Sequence, residues 1–241
     1  MEAPVHIVDM EAALRYVESM IANDAKGNYV LAMNPEKVIA LQRNPSLRTV
    51  FNDATLLVPD GVGIVLAIRL LHGLWVSRVP GVDLMQNICE QAAKKGYKIY
   101  LYGAEEEVSR EAAKKITQVY PGIRIVGRSN GYVSEARMDY LIDDINASRA
   151  DVLFVALGSP IQERWIAQYL PRLEVKVCQA IGGTLDAIAD NIKRAPRLMQ
   201  NVGLEWFYRL VREPKRIRRQ SVLPLFAMKV IKRKIIDNLM V

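Results

Sequence analysis

The sequence predicts an α/β fold: a largely parallel sheet flanked by helices, followed by a basic, amphipathic helical appendage. Three observations carry that expectation. Short apolar runs recur with helical patterns between them, several runs close on Gly, Pro, Asn or Asp, and the charge balance breaks near residue 195. Of the 241 residues 51% are hydrophobic and 24% charged, a composition that packs a core and excludes a disordered or fibrous chain.

The runs are "NYVLAMN" (28–34), "TLLVPD" (55–60), "KIYLYG" (98–103), "IRIVG" (123–127), "DVLFVALG" (151–158) and "VKVCQAIGG" (175–183). Continuous apolar runs alternating with helices are strands buried on both faces, as in a parallel sheet. Together they predict a Rossmann-like arrangement, in which functional groups gather at the carboxyl edge of the strands. Residues 1–195 form the expected core domain and 196–241 the appendage. Cys89 and Cys178 stand apart in apolar contexts, which gives no disulfide framework and fits a reducing cytoplasm. The first 20 residues lack a basic stretch followed by an apolar one, and no run is apolar enough to span a bilayer, so neither export nor a transmembrane segment is expected.

The charge is informative once divided. Residues 193–241 hold 13 Lys/Arg against 3 acids, a net of +10, while residues 1–192 hold 20 basic and 23 acidic residues, a net of −3. A mildly acidic body with a basic end implies an anionic partner for the tail: a membrane surface, a nucleic acid or a phosphorylated substrate. The tail reads as a helix ending near Pro214, a basic stretch, and a last helix carrying Leu225, Met228, Ile231, Ile235 and Leu239, bordered by Lys229, Lys232, Arg233 and Lys234. Such a helix suits an anionic membrane surface, or docks on its own core or on a second copy in a homo-oligomer.

Candidate chemistry lies at the strand ends, and each candidate also has an ordinary structural reading. In "VPDGVG" (58–63), Asp60 stands where a strand gives way to a helix. Read structurally it caps that helix; read chemically it is a general base with Gly61 and Gly63 leaving room for a ligand. Arg78, before a Pro-Gly turn, is either solvated or a fork for phosphate. In "ALGSPIQERW", Gly158 opens a strand-to-helix connection and Gln162 lies on the first turn, able to bind a sugar or base. In "IGGTLDAIAD", Gly182 and Gly183 permit close approach and Thr184 is a cap or a ligand contact. There is no G-x-G-x-x-G after a strand, no P-loop, no nucleophile elbow and no Asp-x-Asp, and His6 and His72 are not in metal-ligand spacing. No cofactor or metal is therefore expected, and a diphosphate would need arginines and helix amides.

In this order, "MNPEKV", "VPDGVGIV", "RVPGVDL", "YLYGAEEE", "ALGSPIQERW", "IGGTLDAIA" and "RAPRLMQNVGLEWFYRLVREPKRIRR" resemble the WecG/TagA/CpsF glycosyltransferase family (glycosyltransferase family 26) from about residue 5 to about residue 220. The resemblance implies a bacterial, metal-independent, inverting enzyme on the cytoplasmic face of the cell membrane. Its reaction moves a sugar from a UDP-sugar to a polyprenyl-diphosphate-linked acceptor, N-acetylmannosamine to N-acetylglucosamine in the teichoic-acid branch. It implies Asp60 as catalytic base and Asn34, Arg78 and Gln162 as pocket residues. Asp186 falls in the matching Gly-Gly-Thr motif, and Arg209, Arg216 and Arg219 resemble arginines that reach back over the site. Ala32, where relatives often carry Thr, and Ile161, where many carry Lys, depart from the pattern. They leave open another UDP-linked donor, N-acetylmannosaminuronic acid or glucose. The alternative of another class is a non-catalytic module whose tail grips nucleic acid or acidic lipid; Gly, Asp, Asn and Gln at the strand ends oppose it, because an electrostatic binder needs none of them, so no nucleic-acid partner is expected.

Overall fold

The structure is a computed structural model and describes residues 3–189, 196, 199, 205–212 and 221–239. All six apolar runs are strands: β1 (Asn28–Met33), β2 (Leu56–Pro59), β3 (Lys98–Gly103), β4 (Arg124–Ser129), β5 (Val152–Ala156) and β6 (Val177–Ala180). They form one parallel sheet in the order β2-β1-β6-β5-β3-β4.

Because successive side chains of a strand point to opposite faces, each run feeds two cores. Val30, Ala32, Leu56 and Val58 meet residues of α1 (Met10–Ala22), α5 (Gly81–Lys95), α6 (Glu106–Val119) and α9 (Thr184–Ile188). Leu31, Met33 and Leu57 meet the opposite layer, α2 (Pro35–Arg43), α3 (Pro45–Asn52), α4 (Val62–His72), α7 (Met138–Ala147) and α8 (Ile161–Tyr169). Cys89 belongs to the first core and Cys178 to the second, so the sheet separates the two thiols. Burial pushes the Cys89 thiol up to about 12 and raises that of Cys178 as well, which keeps both unreactive.

The edge strand β2 is partly covered by the segment before α1. The His6 N–H donates to the Leu57 carbonyl at 2.9 Å, and the His6 Nδ1 accepts from the Leu57 N–H at 3.0 Å. An imidazole thereby occupies a ladder position that would otherwise invite another strand.

Among the described residues, two further helices lie in the appendage, α10 (Glu205–Arg212) and α11 (Val222–Leu239). The last helix extends through the stretch expected from the sequence and packs on the core through a neighbouring stripe. Phe226 and Val230 enter the second core, packed with α2 and α4, while Met228, Ile231 and Ile235 remain exposed. Lys229 adds a hydrogen bond to Gln42 of α2.

Replacing Phe226 with Ala removes the ring that seats α11. Buried Phe→Ala changes cost about 3 to 5 kcal/mol, so amide hydrogen exchange across residues 222–239 should accelerate by about a hundredfold or more while the strand amides keep their protection.

Candidate active site

Parallel strands all end at one edge, and the chain leaves two neighbours there toward opposite faces: β1 feeds α2 on one side, β6 feeds α9 on the other. Such a switch point opens a crevice beyond the strand ends. A cleft of about 600 Å³ lies there.

The register pairs Met33 with Pro59, so Asn34 and Asp60 leave adjacent strands side by side. The Asp60 N–H donates to the Met33 carbonyl at 2.8 Å, and the Val79 N–H donates to Pro59 at 2.8 Å, which brings the Arg78 segment to the same edge. Asn34, Asp60, Arg78, Gly158, Gln162, Gly182, Gly183 and Thr184 all line the cleft. Asp186 does not; it lies half-buried on the first turn of α9. Arg209 falls on α10, but its side chain, like Arg216 and Arg219, lies outside the described residues. Trp206 of the same helix does line the cleft, so the appendage contributes at least one wall residue.

The helix starts of the molecule are capped in two ways. Asp9, Asn34 and Asn44 cap α1, α2 and α3 with side-chain oxygens. Helices α4, α5 and α8, which start at the cleft, have no side-chain cap. A helix N-terminus without a side-chain cap carries about half a positive charge, the condition under which an anion is held. Asp60 is not the cap of α4: Gly61 holds that position with φ +89°, a left-handed conformation that disfavours a side chain. The cap position thus falls on Gly61, and Asp60 lies in the cleft wall. Nor does Gly63 make room for a ligand, since a Cβ there would lie 2.8 Å from the Pro35 ring; it lets α4 close against α2.

Several of these cleft residues also brace the site. The Gln162 Oε1 accepts from the Gly182 N–H at 2.9 Å, tying the β5–α8 loop to the β6–α9 turn. Thr184 donates its hydroxyl to the Ile181 carbonyl, and Gly183, not Thr184, occupies the cap position of α9. Asn34 accepts from the Lys37 N–H at 2.9 Å, which fixes its carboxamide while leaving the NH₂ group for a ligand. Of the two departures from the family pattern, Ala32 lies in the cleft wall and Ile161 does not.

Beneath the cleft lies a pair the sequence reading did not single out. The Lys37 Nζ sits 3.0 Å from the Glu163 Oε1 and donates to the Ala32 carbonyl at 2.8 Å. The two side chains are 10% and 0% exposed, and the Glu163 Oε2 has no hydrogen-bond partner. A signal was present: Glu163 falls three residues before Ile166 and six before Tyr169, on the buried stripe of α8. Among the described residues no group of three His, Cys, Asp or Glu side chains could hold a metal ion.

Fold and cleft thus define an α/β protein with a ligand-sized cleft at its switch point. Residues 1–238 match the Glycosyl transferase WecG/TagA/CpsF family, and the chain belongs to that family of glycosyltransferases. Over 224 residues it is 34% identical to the N-acetylglucosaminyldiphosphoundecaprenol N-acetyl-beta-D-mannosaminyltransferases of Bacillus spizizenii (strain ATCC 23059 / NRRL B-14472 / W23) and Bacillus subtilis (strain 168). The matches cover 93% of this chain and 86% and 87% of those relatives.

Lys37→Met should destabilise the fold by about 3 to 5 kcal/mol in urea unfolding, because it strands a buried carboxylate. Adding Glu163→Gln to that variant should restore part of the loss; a double variant no better than the single one would show that the charge is not the cause.

Proposed function

We propose that this chain transfers N-acetylmannosamine from UDP-N-acetylmannosamine to N-acetylglucosamine carried on undecaprenyl diphosphate, the acceptor and sugar that its relatives' names specify. One observation carries the reading: Asp60 and Asn34 stand together at the mouth of a cleft onto which three uncapped helix N-termini open. A base beside an anion cradle is what sugar transfer from a nucleotide diphosphate requires.

In that reaction the acceptor hydroxyl attacks the anomeric carbon as the UDP oxygen leaves from the opposite side, and the anomeric configuration inverts. A sugar hydroxyl is a weak nucleophile at neutral pH. Asp60 takes its proton as the new bond forms, a role worth about 10²- to 10⁴-fold. Charge gathering on the departing diphosphate meets the amides of α4, α5 and α8, the Arg78 guanidinium, and the tail arginines Arg209, Arg216 and Arg219. No metal enters this scheme. The exposed apolar and cationic side chains of α11 support a peripheral position on the anionic inner surface of the bacterial membrane, where a lipid-linked acceptor would reside. Among the described residues no helix is long and apolar enough to cross a membrane.

A second donor remains open on one observation: Ala32 puts a methyl group in the wall where a hydroxyl would contact the sugar. Turnover with a panel of UDP-sugars separates the readings; preference for a sugar other than N-acetylmannosamine would favour the second.

Asp60→Asn should lower turnover by about a hundredfold or more while the UDP affinity and the unfolding midpoint stay near those of the parent protein. Near-normal turnover would remove Asp60 from the chemistry. Turnover in excess EDTA should match that in buffer alone; a loss restored by magnesium would shift the neutralisation of the diphosphate to a metal ion.

A further inference from the structure

The cleft has two chemically different ends. Near the sheet its walls carry Asn34, Asp60 and the Gly182-Gly183 turn. Away from the sheet they are two helices. Val62, Leu66 and Leu70 follow one another at four-residue spacing along α4, and Leu223, Ala227 and Ile231 do the same along α11. Each helix therefore turns one uncharged stripe to the cleft, over about 12 Å of α4. Phe226 and Val230 fasten the two helices together, yet Leu66, Leu70 and Ile231 stay 57%, 44% and 53% exposed. An aliphatic channel left open to water, continuous with a polar site, marks a place for an apolar ligand.

We propose that this groove between α4 and α11 takes the first units of the acceptor's prenyl chain, so that the enzyme recognises the lipid as well as the sugar. The inference rests on the transferase reading above. A nucleotide sugar has no apolar portion to cover two helical stripes, whereas a prenyl diphosphate joins an anion to a hydrocarbon, matching the order in which the cleft changes from polar to apolar. Seating the chain there directs the acceptor sugar toward Asp60 and the diphosphate-bearing end of the lipid toward the cationic tail.

The test uses the full chain with Leu66→Asn and Leu70→Asn combined, and separately Ile231→Asn from the opposite wall. All three positions are exposed, so folding is retained and is checked by the unfolding midpoint. Steady-state kinetics compare N-acetylglucosamine on undecaprenyl diphosphate with the same head group on a short alkyl chain. Both are presented in detergent micelles and on phosphatidylglycerol–phosphatidylethanolamine vesicles. The expected result is that the ratio of kcat/KM for the long over the short acceptor falls by about tenfold or more in both media. An unchanged ratio overturns the proposal. So does a fall confined to vesicles, which assigns the stripes to the bilayer, or an unchanged ratio with an altered sedimentation coefficient, which assigns them to a second copy. If the parent protein turns over neither acceptor, the transferase reading fails and the groove with it. If the parent turns over both equally well, the groove alone fails.

Discussion

The site depends on one constraint, the divergence of the chain at the boundary between β1 and β6. Two parallel neighbours end at the same edge, but α2 continues into one layer and α9 into the other. Without that divergence the helices would close over the strand ends. With it, backbone amides, a carboxylate and a carboxamide face a shared space, and the sheet register sets Asn34 beside Asp60 more rigidly than a loop could.

A crevice made by divergence needs ties across it. Gln162 supplies one, from the start of α8 to the Gly182 turn, and the Lys37–Glu163 pair supplies another, from α2 to α8. Burying two charges costs several kcal/mol per ion before their attraction repays it, and the unpartnered Glu163 Oε2 keeps that repayment incomplete. The Lys37 ammonium is also bonded to the Ala32 carbonyl in the cleft wall. The pair thus locks α2, the end of β1 and α8 into one arrangement, trading some stability for a fixed site geometry.

The sheet was legible because buried parallel strands must be apolar on both faces, and five of the six runs met that condition; the edge strand β4, with Arg124 and Arg128, is only partly buried. The parallel arrangement was legible too, since each run was separated from the next by a helical stretch. At the site the strand ends were readable, but the partners of each side chain were not. Asp60 and Thr184 both looked like helix caps because caps are chosen by residue type at a junction, whereas Gly61 and Gly183 actually hold the cap positions. The bond from Gly182 to Gln162 was not readable because it joins residues 20 apart in sequence. Lys37 and Glu163 were missed for the same reason, their pairing being set by how α2 meets α8. On α11 the helical period was legible but the side that packs on the core was not, because the stripe through Leu225, Met228, Ile231 and Ile235 is about as apolar as the one through Phe226 and Val230.

That ambiguity in α11 has a physical meaning. A helix that needed only to cap a core would carry one apolar stripe and a polar remainder. Here one side is consumed by α2 and α4 while further aliphatic side chains stay in water among Lys232 and Arg233. Exposed hydrocarbon next to cations is unfavourable in a protein that works in bulk water and favourable at an anionic lipid surface, where both find partners. The same helix forms a wall of the cleft, so on the membrane reading proposed above, binding at the surface and completion of the site become a single event.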